Sequence, residues 1–352
     1  MFTSSMWTYI KEEKDILLNL LDNHKIQDTV ESISNLEAIY FVAHGSSYNA
    51  CKTIAPLISQ YARVRAYVYT PSDFRWNAIS FQYENKDTTA IFAVSQTGTS
   101  RGVLEILDSI NDCKKIVITN IENSPIDQQG DITYYLQVKE EDSNAKTKGY
   151  SATLLLLILF GLELGSIKGY LSTDDKDRIL QSIQQEIEVL PRVISTTIEW
   201  CVRYVYGKGM QNLCVLGNGV HYGSALEGAL KLMETMCIPT TYNDIVEFSH
   251  GMHRNLKEDS YVLLLNASGE QDLMEKTFTY CKNKGMHVLM ITGDDGIENE
   301  NVIYVGKYPY TSSLFLIVCT IQVISVFVPE INGLNPNREA NDEYTNYVET
   351  RV

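Results

Sequence analysis

Three residues in one short stretch have the types and spacing to move a proton. In Ala225-Leu226-Glu227-Gly228-Ala229-Leu230-Lys231-Leu232-Met233-Glu234 the Ala, Leu, Glu and Lys content favours a helix. Glu227, Lys231 and Glu234 stand four and three residues apart, so a helix projects all three from one face. A carboxylate beside a lysine and a second carboxylate has a tunable proton affinity, which a general base requires. The same triplet taken alone also fits a solvated ion-pair stripe. Downstream, Glu247-Phe248-Ser249-His250-Gly251 follows a short strand. His250, beside a glycine at an element boundary, could carry a proton near neutral pH. His253 could hint at a metal, but no Cys or further carboxylate completes a ligand set, so neither metal nor cofactor is expected.

A second kind of chemistry sits in two hydroxyl-dense turns, Gly45-Ser46-Ser47 and Ser95-Gln96-Thr97-Gly98-Thr99-Ser100. Glycine lets the backbone approach an anion, Ser and Thr add donors, and a following helix N-terminus favours negative charge. Each turn alone is also ordinary capping and turn chemistry; two of them on adjacent strands point to a phosphate site.

These residues need a scaffold of strands feeding helices. Short β-branched runs alternate with helical stretches, the pattern of a mostly parallel sheet wrapped by helices. Ala38–Ala43, Arg65–Tyr69, Thr89–Ser95, Lys115–Thr119 and Thr133–Val138 read as strands of a first lobe. Asn212–Gly217, Ser260–Asn266, His287–Thr292 and Val302–Val305 read as strands of a second. Asp174 to Tyr206, charged and periodic, reads as one or two linking helices. The expected division is a first lobe over 1–170, linking helices over 171–206, and a second lobe with the C-terminal tail over 207–352.

The lobes echo one another. Phe41-Val42-Ala43-His44-Gly45-Ser46-Ser47-Tyr48 matches Val215-Leu216-Gly217-Asn218-Gly219-Val220-His221-Tyr222 in design. Val94-Ser95-Gln96-Thr97-Gly98 is echoed by Leu265-Asn266-Ala267-Ser268-Gly269, and Val117-Ile118-Thr119-Asn120 by Leu289-Met290-Ile291-Thr292-Gly293. Three echoes in one order imply two tandem doubly wound, flavodoxin-like α/β lobes related by duplication. The second lobe lacks the hydroxyl density of the first, so a single phosphate site is expected.

Bulk properties narrow the partners. A net charge of −15 over 352 residues disfavours nucleic acid, which demands clustered Lys and Arg. The seven cysteines are scattered without a C-x-x-C pair, as expected of free thiols in a reducing compartment. Met1 to Lys14 lacks a basic-then-apolar signal layout, so a cytoplasmic protein is expected. Leu154–Leu164 is too short to span a membrane and carries Glu163; Leu314–Val328 is interrupted by Thr320, Gln322 and Ser325 and stopped by Pro329. Both read as buried helices rather than membrane spans.

On these residues the chain resembles the sugar-isomerase (SIS) domain family, in particular the isomerase half of the glucosamine-6-phosphate synthases. The resemblance runs from Met6 and Ile10-Lys11-Glu12-Glu13 to the C-terminal apolar helix. Its most specific stretch is Tyr222 to Gly251, where A-L-E-G-A-L-K-L-x-E and E-x-x-H-G stand at the family's spacing. It implies phosphate and sugar contacts from Gly45, Ser46, Ser47, Ser95, Gln96, Thr97, Ser100 and Ala145. It implies Glu234 as the base shuttling a proton between C1 and C2, with Lys231 beside it. It implies His250 as the ring-opening group, acting in the other subunit of a homodimer with shared sites. Three positions depart from the family: Lys146 replaces a small serine, His44 a cysteine, and Pro336-Asn337-Arg338-Glu339-Ala340-Asn341 a lysine-bearing tail motif. No lysine follows Lys307 in this stretch, and no glutaminase segment is expected ahead of the first lobe. Arg338 and Arg351 are candidates to supply the missing lysine's charge. The expectation is a phosphosugar isomerase or fructosamine-6-phosphate deglycase that has kept the scaffold and lost the amination. Alternatives are an ammonia- or partner-dependent synthase or deaminase, and a non-catalytic phosphosugar sensor.

Overall fold

The computed structural model describes residues 3–138, 140–294 and 299–352. The chain forms two compact units, one of Ile16–Glu140, Gly149–Arg178 and Glu339–Val352, the other of Met1–Asp15, Glu141–Lys148 and Ile179–Arg338. Each is built on one five-stranded parallel sheet.

In chain order the first part runs α1 (Met6–Asn23), α2 (Gln27–Val30), β1 (Ala38–Ala43), α3 (Gly45–Ala62), β2 (Arg65–Tyr69) and α4 (Pro71–Asn77). It continues through β3 (Thr89–Val94), α5 (Arg101–Ser109), β4 (Lys114–Thr119), β5 (Ile132–Tyr135) and α6 (Lys148–Ile167). Two helices, α7 (Thr173–Glu188) and α8 (Leu190–Tyr204), occupy the stretch read as a linker. Then come β6 (Leu213–Gly217), α9 (Val220–Met236), β7 (Thr240–Asp244), α10 (Ile245–Phe248), β8 (Tyr261–Asn266) and α11 (Gln271–Asn283). The chain finishes with β9 (His287–Thr292), β10 (Val302–Tyr304), α12 (Leu314–Ile331) and α13 (Glu343–Tyr347).

The first sheet has the order β2-β1-β3-β4-β5 and the second β7-β6-β8-β9-β10, which is the same order shifted by five strands. The central strands β1 and β3 are buried along their whole length, as expected where helices cover both faces. One face of the first sheet packs Tyr40, Val42, Ile91 and Ala93 against Phe74, Val103, Leu104 and Leu107. On the second sheet Leu216, Val262, Leu264 and Met290 pack against Phe248, Met274 and Phe278. Burial on this scale is worth about 25 cal/mol per Å² of apolar surface and dominates the stability of each unit.

The strands end close to the sequence expectations, with one instructive difference. β5 stops at Tyr135 rather than Val138, because Gln137 turns to a φ of +54°. Val138 then pairs with a side chain instead of a strand, its N–H donating to Asn120 Oδ1 (2.9 Å) and its carbonyl accepting from Asn120 Nδ2 (2.7 Å).

The duplication extends to backbone conformation. Gly45 after β1 and Gly219 after β6 both sit at φ +54°, and Gly98 and Gly269 after the next central strands sit at +71° and +107°. A side chain at such angles is strained, so glycine is retained in both copies. Helices α6 and α12 are long and apolar enough to cross a membrane by length and composition, yet 89% of each tested window is buried inside the chain. None of the seven cysteines is bridged.

Candidate active site

In a doubly wound sheet, ligands gather at the carboxyl ends of the strands where the strand order reverses. In the β1–β5 unit that place lies between β1 and β3, which pair in parallel up to Ala43 and Val94. The two hydroxyl-dense turns leave the sheet at these neighbouring strand ends. Gly45-Ser46-Ser47 opens α3, with His44 as its extended N-cap residue. Ser95-Gln96-Thr97-Gly98 forms a turn closed by Gly98 N–H donating to Ser95 O at 3.0 Å, before Ser100 opens α5. Seven of the expected contacts, Gly45, Ser46, Ser47, Ser95, Gln96, Thr97 and Ser100, are thereby grouped at one switch point.

The site is built rather than incidental. A Cβ on Gly98 would stand 2.2 Å from Ser124 Oγ, and one on Gly149 would stand 2.3 Å from Gln96 Nε2. Gln96 O is held by Asn120 N–H (3.0 Å) and Thr119 Oγ1 (3.3 Å). Thr97 Oγ1 bonds Thr99 Oγ1 at 3.0 Å. Among the described residues, the hydroxyls of Ser46, Ser47, Ser95 and Ser100 donate to no other group. Ser46 and Ser47 in the first turn of α3 and Ser100 at the N-cap of α5 stand at helix N-termini, where the macrodipole also favours an anion.

The same place in the β6–β10 unit is closed. Asn218 Nδ2 donates to Ser268 O at 3.2 Å, and Ser268 Oγ donates back to Asn218 O at 2.5 Å. The two turns bind each other through Asn218 and Ser268, while the buried Asn266 side-chain amide beside them has no partner among the described residues. The serines of the first switch point make no side-chain donation, whereas at its duplicate Asn218 and Ser268 tie the two turns together.

The β6–β10 unit supplies the titratable cluster. Helix α9 buries Glu227 and Lys231, while Glu234, one turn on, keeps 31% of its side chain exposed. Lys231 Nζ lies 3.4 Å from Glu227 Oε1 and 2.8 Å from Glu234 Oε2. Burial by itself would push the Lys231 ammonium towards losing its proton. The carboxylates of Glu234 and Glu227, with Glu141 further off, outweigh it and raise its proton affinity above the ordinary lysine value. Lys231 is thus a fixed cation. Glu234 Oε2 is oriented by it, and Glu234 Oε1 has no hydrogen-bond partner among the described residues. A carboxylate with one oxygen clamped and the other open has the layout of a positioned proton acceptor.

Sequence reasoning missed Glu141. It is buried, accepts from Thr147 N (2.5 Å) and Thr147 Oγ1 (2.7 Å), and faces Lys231 as a third carboxylate. The loop it shapes carries Ala145, fully buried, whose carbonyl accepts from Ser143 Oγ at 3.0 Å. In the same segment Lys148 is 1% exposed, pairs with Glu12 at 2.8 Å and lies 4.5 Å from the Tyr9 ring centroid. His250 follows α10, which Asp244 caps by accepting from Val246 and Glu247 N–H. Its backbone N–H is bound to Glu247 O, while the residue itself is exposed.

The SIS domain family model matches residues 32–162 and again 209–326, one copy on each sheet. The chain belongs to the SIS domain family.

SIS relatives fall into recognisable groups. A glutamine–fructose-6-phosphate aminotransferase of Thermococcus kodakarensis is 26% identical over 326 residues, covering 90% of this chain and 53% of the relative. The chain therefore spans about half the length of the curated relatives it matches. A Clostridium difficile 630 protein, provisionally described as a phosphosugar isomerase, superposes with a TM-score of 0.87 at 25% identity, covering 97% of both chains. The C-terminal domain of a Francisella tularensis glucosamine-fructose-6-phosphate aminotransferase shares the fold, with a TM-score of 0.85 at 21% identity over 96% of this chain and 99% of that one.

In this SIS chain the structure gives the two candidate arginines, Arg338 and Arg351, defined places. Arg338 donates from Nη1 to Thr235 O at 2.6 Å, next to Glu234 in sequence and at the C-terminal end of α9. Arg351 lies in a two-residue antiparallel bridge with Ser100. Around it Arg101 N–H donates to Thr350 O and Val352 N–H to Thr99 O, both at 3.1 Å. The guanidinium of Arg101 pairs with Glu349 at 2.9 Å. The C-terminal residues thus border the second hydroxyl turn, a contact with no signal in local sequence.

Proposed function

We propose that the chain acts on a sugar 6-phosphate as a phosphosugar isomerase or fructosamine-6-phosphate deglycase. The observation that carries this reading is the Glu234 carboxylate, clamped through Oε2 by a permanently charged Lys231 and open at Oε1. The open switch point of the β1–β5 unit takes the phosphate through Ser46, Ser47, Ser95, Gln96, Thr97 and Ser100 and the backbone at Gly45; Ala145 borders the sugar. His250 moves a proton between the ring oxygen and the anomeric hydroxyl to open the ring. Its exposure on its own chain supports a role in the site of a partner subunit, hence a homodimer, in the cytoplasm.

The chemistry is one proton relay. Glu234 takes a proton from the carbon next to the carbonyl, leaving an enediolate, and returns it to the neighbouring carbon while the hydroxyl proton passes between O2 and O1, which interconverts aldose and ketose. On a fructosamine 6-phosphate the proton leaves C1 to give an enolamine and returns at C2, forming an imine at C1. Water then adds to C1 and the amine departs, leaving an aldose 6-phosphate. Lys231 stays protonated throughout and holds the base in place.

A second reading, an enzyme that adds or removes ammonia, is favoured by the similarity to aminotransferases and opposed by Pro336-Asn337-Arg338-Glu339-Ala340-Asn341 standing where the resemblance leads one to expect a lysine-bearing motif. Proton NMR in heavy water with hexose, hexosamine and fructosamine 6-phosphates decides among them. Deuterium entering at C1 or C2 without amine loss establishes the isomerase, and free amine with aldose 6-phosphate the deglycase. Ammonia-dependent exchange favours the second reading. Binding without exchange for every compound makes the chain a sensor and overturns the enzymatic proposal.

A further inference from the structure

A cavity of about 320 Å³ in the β6–β10 unit uses none of the residues assigned above. It lies where α8 ends and β8 and β9 begin, and its walls include Trp200, Tyr204, Tyr206, Tyr261, His287 and Glu300. Five rings follow one another around it. Trp200 is 5.2 Å from Tyr204 and 5.6 Å from Tyr206; Tyr206 is 5.8 Å from Tyr261, which stacks on His287 at 4.3 Å, all between centroids. Two of the rings are pinned through their polar atoms. Trp200 Nε1 donates to Glu300 O at 2.8 Å, and the Tyr261 hydroxyl donates to Lys208 O at 3.1 Å. The wall is therefore preorganised, and its polar handles are turned to the protein.

Among the described residues, two groups on this wall have no protein partner. The Tyr206 hydroxyl is buried, at 9% residue exposure, and makes no hydrogen bond. An unsatisfied buried hydroxyl costs about 1–3 kcal/mol and marks a place where a ligand group can bind. The Glu300 carboxylate is exposed at the rim and pairs with no cation among the described residues. Lys208, the cation on this wall, already donates from Nζ to Ile331 O at 2.5 Å. An adjoining cavity of about 300 Å³ shares Trp200, Tyr204 and Glu300 and adds Glu199 and Arg203, whose charges offset each other. Ring faces are negative, and the rim of the aromatic cavity carries an unpaired carboxylate. With the Lys208 ammonium turned to Ile331 O, the ring faces and the Glu300 carboxylate favour a compact cation at the Trp200–Tyr204 side of the cavity.

We propose that this cavity is a binding site for a small organic ammonium ion. Trp200 and Tyr204 supply ring faces for the cationic head, Glu300 its countercharge, and the Tyr206 hydroxyl a hydrogen bond to the ligand's polar end. The site is separate from the proposed proton relay, so it stands or falls independently of that activity.

Calorimetric titration of the whole chain with choline and with dimethylbutanol, its uncharged carbon isostere, tests the assignment. Choline is expected to bind saturably and the isostere about tenfold more weakly or not at all. Glu300→Gln and Tyr204→Ala, both at exposed positions, should each weaken choline about tenfold without lowering the melting temperature. Absence of saturable choline heat, equal binding of the isostere, or unchanged affinity in both variants overturns the proposal. Tighter binding of adenosine than of choline also overturns it, in favour of a flat-ring site.

Discussion

Asn218 and Ser268 hold each other across the switch point of the second sheet, through bonds of 3.2 and 2.5 Å, where the first sheet offers open serines. The two copies keep the same strand order and the same glycine angles after the central strands. What separates them is whether the polar side chains of the two turns reach each other. That difference underlies the proposal of a phosphate in one copy and yields a paired prediction. Ser47→Ala and Gln96→Ala should weaken binding of a sugar 6-phosphate several-fold, with little effect on phosphate-free sugars. Ser268→Ala should leave phosphate binding unchanged and cost about 1 kcal/mol of stability from its lost hydrogen bonds. A phosphate affinity that responds to Ser268 and ignores Ser47 would reverse the assignment.

Glu234→Gln keeps the shape of the side chain and removes its ability to accept a proton. Exchange of substrate hydrogen with heavy water should fall by about 10²- to 10⁴-fold, while ligand affinity stays within a few-fold. Lys231→Met should act differently. It leaves Glu227 buried beside no cation, so a stability loss of about 3–5 kcal/mol is expected along with lost activity. Denaturant melts of the two variants separate the roles; equal stability loss in both would show that Glu234 is structural.

Burial pushes the Glu186 carboxyl up to about 7, although bonds from Thr311 Oγ1 and from Phe315 and Leu316 N–H pull it back. Between the ordinary value of 4.5 and about 7 the folded state keeps a proton that the unfolded chain has lost. Its contribution to stability therefore falls as pH rises through that window, by up to about 3 kcal/mol. Burial moves His221 the other way, down to about 4, with the bond to Ser312 O opposing. In the range from 4 to 6.5 the folded state holds fewer protons on His221 than the unfolded chain does, so its contribution falls as pH drops. The two slopes oppose one another, and difference curves are needed. Melting temperatures of Glu186→Gln minus wild type should climb from pH 5 to 7; a flat difference curve would mean that Glu186 does not titrate there.

Gly98 and Gly169 separate backbone strain from crowding. Both have positive φ, +71° and +74°, but a Cβ at Gly169 meets nothing within 4 Å while one at Gly98 meets Ser124 Oγ at 2.2 Å. Gly169→Ala should cost about 1 kcal/mol, the strain alone. Gly98→Ala should cost about 1–3 kcal/mol more and also disturb ligand binding through the turn. Equal losses in urea unfolding would show that the Ser124 side chain simply moves aside.

Much of this was legible in one dimension because it is written in local, repeated patterns. Apolar runs bounded by glycine turns located nine strands to within a few residues, and the echo of Phe41-Val42-Ala43-His44-Gly45 in Val215-Leu216-Gly217-Asn218-Gly219 exposed the duplication. The spacing of Glu227, Lys231 and Glu234 put them on one helix face, since helical geometry follows from the chain alone. Glu141 was not legible, because it meets Lys231 only through the fold. The Asn218–Ser268 tie was equally hidden, since each residue is an ordinary turn residue until two parallel strands bring the turns together. The bridge between Ser100 and Arg351 joins the middle of one turn to the end of the chain, and nothing near either residue announces it.

The sequence by itself determined the element order, the two-lobed repeat, and which side chains can transfer a proton or donate to an anion, because periodicity, turn chemistry and residue type act over a few neighbours. Tertiary structure decided that Asn218 and Ser268 tie together the two turns of the second sheet, which carboxylates surround Lys231, and that its ammonium stays charged although buried. Those outcomes depend on desolvation and on charges a few ångströms apart in space but far apart along the chain, and only packing brings them together.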